Sequence, residues 1–197
     1  MNFFDCLFDV CGSNYYGVSG LNSELNSLYI YNSFIKYCKG MVVVTNSLYE
    51  ANILFNKLLN YTDRVLFFPM DDFITSEAIA ISPEFKSERI HTLNQLSNNN
   101  DYIVVTNLMG FLRYLPPVEI WKKNVISLKK GVTIERDRLI HQLYNIGYER
   151  ETVVSETGKL GVRGYVLDVF PIDFDYPIRI EFWGDEIDNI KYFDVDT

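Results

Sequence analysis

The 197 residues carry 48% hydrophobic and 15% aromatic side chains, enough for one large core or two small ones, which excludes a disordered chain. A formal net charge of −8 argues against a dedicated nucleic-acid binder, because phosphate contacts need clustered Lys and Arg. Cys6, Cys11 and Cys38 form no CxxC pair and lie far in sequence from His91 and His141, so spacing speaks against a disulfide framework or a zinc site and for reduced thiols.

In chain order, Asp5 and Asp9 stand where a signal peptide would carry basic residues. No apolar run approaches the ~20 residues that span a membrane, so the expected setting is cytoplasmic. Next comes Gly17-Val18-Ser19-Gly20-Leu21-Asn22-Ser23-Glu24, which has the outline of a phosphate loop, G-x-x-x-x-G-K-[ST]. In a working loop, backbone N–H groups cradle the phosphates, Lys reaches the β and γ groups, and the hydroxyl holds Mg²⁺. Here Gly17 keeps the first glycine and Gly20 lies within the loop. Asn22, however, takes the second glycine position, Ser23 the Lys position and Glu24 the hydroxyl position. Glu24 sets a carboxylate where a triphosphate would sit. On spacing alone an ordinary strand-to-helix turn fits the stretch as well.

Apolar β-branched runs then alternate with amphipathic stretches. Met41–Thr45, Val65–Pro69 and Tyr102–Thr106 read as strands, and their continuous apolar character suits parallel strands covered on both faces. Helices are predicted at Ser23–Cys38, stopped by Gly40; at Ser47–Asn60, capped by Asn46 or Ser47; and at Lys86–Ser97. Asn98-Asn99-Asn100 reads as a solvated loop, and Asn107 as the cap of a short helix toward Arg113. This order implies βαβ units and a mostly parallel α/β sheet. Near Pro116-Pro117 the pattern changes. Beyond Lys129-Lys130-Gly131 come a helix, Arg136–Asn145, closed by Gly147, and strands at Thr152–Glu156, Val162–Phe170, Pro177–Trp183 and Ile187–Phe193. The second part is expected to be a small α+β domain with an antiparallel sheet. The sequence stops at Thr197 directly after a strand pattern, as expected of a piece of a longer protein.

From Gly147 onward the residues become specific: Gly147-Tyr148-Glu149-Arg150, Arg163-Gly164-Tyr165-Val166-Leu167-Asp168-Val169-Phe170-Pro171, Pro177-Ile178-Arg179-Ile180-Glu181-Phe182-Trp183-Gly184-Asp185-Glu186-Ile187, and Phe193-Asp194. They resemble the GYxR…RGxxxDxFP…RIEFFGDEI…FD signature shared by the excision-repair protein UvrB and the transcription-repair coupling factor (Mfd) family, in the domain both use to bind UvrA. UvrB would read GVTGTGKT where this chain has GVSGLNSE, so the chain is similar to the N-terminal UvrB-like module of the coupling factors. Leu66-Phe67-Phe68-Pro69-Met70-Asp71, Ser82-Pro83, Ser87-Glu88-Arg89, Val104-Val105-Thr106 and Leu115-Pro116-Pro117 fit the same family. The resemblance implies a UvrB-like α/β subdomain without a functional nucleotide site over 1–125, then a UvrA-binding α+β subdomain over 126–197. It also implies a polymerase-binding module, DNA contacts and a translocase motor in other regions of the parent. The module itself is expected to have no catalytic residue, metal or cofactor.

Arg163, Arg179, Glu181 and Trp183 match the family positions that contact UvrA. Residues two apart on a strand share a face, so Arg179, Glu181 and Trp183 line one side while Ile178, Ile180 and Phe182 turn to the core. An exposed Arg–Glu–Arg cluster beside a large aromatic has hot-spot composition; a solvated face of weak ion pairs is the plainer reading. The family carries Phe where this chain has Trp183. Arg150 reads as fold support or interface edge, and Gly164 and Gly184 as turn residues. Asp168, Asp185 and Glu186 are acidic without a nearby His, which speaks against acid–base or metal chemistry. Arg113, Trp121, Lys122, Lys123, Lys129 and Lys130 form a mildly basic stretch that reads as a solvated linker before it reads as a DNA contact. A UvrB-like ATP-dependent helicase subunit is the alternative function. Asn22-Ser23-Glu24 opposes it, because losing the Lys charge and gaining a carboxylate both weaken triphosphate binding.

Overall fold

The computed structural model describes residues 17–37, 40–72 and 83–194, so Cys6, Cys11, Cys38, Asp5, Asp9 and Ser82 lie outside the described residues. The chain divides into two compact units between Leu115 and Pro116, where the sequence pattern changes, ahead of the boundary expected at residue 125.

In the first unit the elements run α1 (Ser23–Tyr37), β1 (Met41–Thr45), α2 (Leu48–Leu59), β2 (Val65–Phe68), α3 (Pro83–Asn98), β3 (Ile103–Asn107) and α4 (Leu108–Phe111). The strands pair in parallel in the order β1-β3-β2, with Val43 opposite Val105 and Val65 opposite Ile103. All of β2 and β3 is buried, as expected for parallel strands covered on both faces. β1 departs from the expectation of full burial: Val42 is 58% and Val44 40% exposed. Edge position is not the reason, since β2 is an edge too: Val43 faces the core built with α1 and α2, whereas Val42 and Val44 lie on the other face, where α3 packs on β2. Ile30 and Phe34 of α1 and Ala51, Leu54 and Leu58 of α2, at helical spacing, form one core with Val65, Phe67, Ile103 and Val105.

Helix starts are set by side chains. Ser47 Oγ accepts from Glu50 N (3.2 Å) while a Glu50 carboxylate oxygen accepts from Asn46 N (3.2 Å), a reciprocal cap of α2. The Asp72 carboxylate accepts from Leu48 N at 3.0 Å. Fully buried Asn107 accepts from Gly110 N (3.2 Å) and donates to Met70 O (2.6 Å) and Asp72 Oδ1 (2.7 Å), so its amide is satisfied.

In the second unit the elements are α5 (Val118–Lys123), α6 (Arg136–Asn145), β4 (Glu149–Arg150), β5 (Lys159–Arg163), β6 (Val166–Val169), β7 (Ile178–Trp183) and β8 (Glu186–Tyr192). The sheet runs β4-β5-β6-β7-β8. β5 to β8 form an antiparallel meander, but β4 joins β5 in parallel, so the sheet is mixed rather than purely antiparallel. Two strand expectations change. Thr152–Glu156 is not a strand, and Val162–Phe170 is two strands folded back at Gly164-Tyr165. Gly164 has φ 57° at the first turn position, which a glycine adopts without strain and which matches the twist of a two-residue hairpin. Gly184, at φ 61°, does the same before Asp185. Leu139, Ile140 and Leu143 of α6 pack on Leu160, Leu167, Val169, Ile180, Phe182 and Ile187, burying one sheet face.

A Cβ at Gly110 would lie 2.2 Å from Thr106 Oγ1 and 3.0 Å from Phe68 O, whereas one at Gly17 meets nothing within 4 Å among the described residues. Gly110→Ala therefore has to break the Thr106 Oγ1–Phe68 O hydrogen bond (2.7 Å) at the end of the sheet. Urea unfolding should register a loss of about 2 kcal/mol for Gly110→Ala and a change within about 0.5 kcal/mol for Gly17→Ala.

Candidate protein-interaction site

With one face of the meander under α6, the other collects the polar residues of each strand. Register places them in rows: Gly161, Asp168, Arg179 and Lys191 in one, Arg163, Val166, Glu181 and Asn189 in the next, then Trp183 opposite Glu186. At a strand spacing of about 4.8 Å, the Arg163 and Glu181 backbones lie roughly 10 Å apart. Arg163, Arg179, Glu181 and Trp183 thus share one face.

They are not equally available. Arg179 donates from Nε to Asp168 Oδ1 (2.7 Å) and from NH2 to Asp168 Oδ2 (2.8 Å), a bidentate cross-strand pair, and its guanidinium lies 4.7 Å from the Phe193 ring centroid. Asp168 is only 5% exposed, so the pair is part of the fold. The hydrogen bonds to Asp168 raise the Arg179 pKa. Glu181 pairs with Lys191 at 2.5 Å, and that hydrogen bond holds its carboxyl below the usual range. Arg163 is exposed and donates one bond from NH2 to Thr152 O (2.7 Å). Trp183 is 83% exposed. The expected exposed Arg–Glu–Arg cluster is therefore graded: Arg179 and Glu181 are half-buried and held by partners, while Arg163 and Trp183 stand in solvent.

Next to Arg163, the segment after β4 crosses β5. A Cβ at Gly161 would meet Val154 Cγ2 at 3.1 Å and Glu151 O at 3.3 Å, so the missing side chain admits this crossing. Arg150, Glu151, Thr152, Val162 and Arg163 line a shallow cleft of about 370 Å³. Of the other acidic candidates, Asp185 and Glu186 sit exposed at the β7–β8 turn. Among the described residues no three His, Cys, Asp or Glu side chains are grouped to hold a metal ion. His91 is half-buried on α3, and exposed His141 stacks edge-on to Tyr144 at 6.5 Å.

The loop at the start of α1 is closed from within. Asn22 Oδ1 accepts from Leu25 N (2.9 Å) and caps the helix where a phosphate would meet the free N–H groups. Lys57 of α2 reaches Ser23 Oγ at 2.7 Å and Glu24 Oε1 at 2.6 Å. Gly17 and Gly20 are exposed, with no neighbour among the described residues within 4 Å of an added Cβ. The cation of this corner is thus supplied by α2 and engaged by Glu24.

Residues 126–197, which include the whole meander, match the UvrB interaction domain. Over 196 residues the chain is 37% identical to the transcription-repair-coupling factor of Staphylococcus haemolyticus, covering 98% of this chain and 17% of that protein. It is 36% identical over 198 residues to that of Staphylococcus epidermidis and 35% over 198 residues to that of Staphylococcus aureus, covering 100% of this chain and 17% of each relative. The chain is homologous to the transcription-repair coupling factors. It corresponds to their N-terminal region and spans 17% of the length of these relatives. Among the described residues no helix is long and apolar enough to cross a membrane.

Sequence reasoning missed the Arg179–Asp168 pair, although both residues fall on outward positions of neighbouring strands. Arg179→Ala should leave Asp168 buried and unpaired, costing about 2 kcal/mol after discounting for the partial exposure of Arg179. In a double-mutant cycle with Asp168→Ala, the combined loss should fall short of the sum by about 1 kcal/mol or more; simple additivity would mean that the pair is not coupled. Because the Glu181 pKa is lowered, its ion pair contributes above the ordinary carboxylate range and is lost as pH falls through the folded value. An NMR titration should find the Glu181 carboxyl moving back up in Lys191→Met.

Proposed function

We propose that this chain is the UvrA-recruiting module of a transcription-repair coupling factor. It brings UvrA to a stalled RNA polymerase for nucleotide excision repair and has no ATPase of its own. The observation that carries this reading is Trp183, a large aromatic left in solvent beside Arg163 on the open face of a UvrB interaction domain. An exposed Trp on the same face as an exposed guanidinium held by one backbone hydrogen bond contributes little to folding, yet matches the composition of binding hot spots. Arg179 and Glu181 complete the face: they are fixed by Asp168 and Lys191, so little side-chain entropy is lost when a partner docks on them. RNA polymerase, DNA and ATP are engaged by other regions of the parent, which carries the translocase activity.

Titration of the chain against purified UvrA tests the reading. Micromolar or tighter binding is expected, abolished by Trp183→Ala and by Arg163→Ala with melting temperatures unchanged. Arg179→Ala is a poorer probe, since it also removes the partner of Asp168. Failure of the well-folded chain to bind UvrA would sink the proposal. Millimolar Mg-ATP should leave the melting temperature unmoved; a UvrB-like helicase subunit with a working loop would be stabilised by ligand binding.

A further inference from the structure

The outward positions of β5 read Lys159, Gly161 and Arg163, with Leu160 between them buried under α6. Gly161 leaves a gap in this row, and the segment that follows β4 passes over it. An added Cβ would stand 3.1 Å from Val154 Cγ2 and 3.3 Å from Glu151 O. Val154 is only 4% exposed, so it seats the segment there. The two charged neighbours of the glycine hold the segment from either side. Lys159 Nζ donates to Glu149 Oε2 at 2.9 Å and pairs with Glu151 Oε1 at 2.8 Å. Arg163 Nη2 donates to Thr152 O at 2.7 Å.

These contacts depend on one another. Backbone pairing with β5 carries the segment only as far as Glu151, whose N–H donates to Leu160 O at 2.8 Å. Thr152 and Val153 are then exposed, until Val154 is buried again. The Thr152 carbonyl is therefore placed by how firmly its two flanks are held. Lys159 holds the first flank, one ammonium bridging two carboxylates two residues apart, and both bonds raise its pKa. Arg163, on the second side, uses Nη2 for Thr152 O, while its Nε and Nη1 make no hydrogen bond among the described residues. A long side chain on an exposed strand position loses rotamer freedom when a partner docks, and an acceptor already in place removes part of that loss.

We infer that Lys159 is a positioning residue of the partner-binding face: it fixes the segment whose Thr152 carbonyl holds Arg163, and so pre-orients the guanidinium that a hydrogen-bond acceptor of the partner meets. This rests on the UvrA-recruitment reading and adds to it a residue that acts through another.

The test takes two readouts on the whole chain: affinity for purified UvrA by isothermal titration, and order of the Arg163 guanidinium from the heteronuclear NOE of its Nε–H group. The variants are Lys159→Met, Lys159→Arg and the double variant Glu149→Gln/Glu151→Gln, each compared with wild type for its amide spectrum and melting temperature. Lys159→Met and the double variant should both lose order at Arg163 and bind UvrA roughly three- to tenfold more weakly, the effect of one freed side chain. Lys159→Arg can still bridge two carboxylates and should stay near wild type in both readouts. The two weakening variants change the net charge in opposite directions. A direct electrostatic effect on UvrA would therefore drive their affinities apart, and that result would overturn the positioning role. Weaker binding with Arg163 still ordered would overturn it too, as would lost order with affinity unchanged. Because the NOE is read on the free chain, the placing of Arg163 by Lys159 is decided even where UvrA binding, and with it the recruitment reading, fails.

Discussion

The second unit depends on a single asymmetry: one helix, α6, buries one face of a four-stranded meander, and nothing comparable among the described residues of this unit covers the other. Side chains alternate along a strand, so burial of Leu160, Leu167, Ile180 and Ile187 commits the residues between them to the open face. A slip of one residue in any strand would send Arg179 or Glu181 under α6 and Ile180 into water. The same hydrophobic constraint that stabilises the unit therefore also assembles Arg163, Arg179, Glu181 and Trp183 from two strands into one surface.

That surface is firm because its charges are answered across the strands. A nearly buried Asp168 would be costly alone, and Arg179 compensates it with two aligned hydrogen bonds and a cation–π contact. Lys191 does the same for Glu181 from the other side. What remains outside this web is the indole of Trp183. The division of labour is physical. Paired charges fix the platform, and the indole, which has few rotamers and much area, is left to be covered by something else.

The first unit applies related chemistry to the opposite end. A helix N-terminus attracts anions because its first N–H groups are unpaired. In α1 one of those groups, Leu25 N, is met by Asn22 Oδ1, and the nearby cation, Lys57, is held by Glu24 and Ser23. At α2 the incoming carboxylate is Asp72. Both helix starts thus receive a side-chain oxygen from within the chain.

Much of this was legible in the sequence. The β-branched runs located β1, β2 and β3, Ser47 and Asn107 announced their helix caps, and the alternation in Ile178–Trp183 gave the outward residues of β7, because periodicity and capping are local properties of a chain. Tertiary structure alone decided the rest. Continuous apolar character could not tell which strand keeps both faces covered: β1 and β2 are both edges, yet α3 packs on β2 while Val42 and Val44 of β1 stay exposed. Alternation read straight through Gly164-Tyr165 hid a turn, since both hairpin arms keep the same period. The links Asp168–Arg179, Glu181–Lys191 and Glu24–Lys57 join residues far apart in sequence, and only strand register and helix packing bring them within hydrogen-bond reach. On β7 the sequence by itself determined which residues face outward; which of them are already engaged by partners was settled by the pairing of strands.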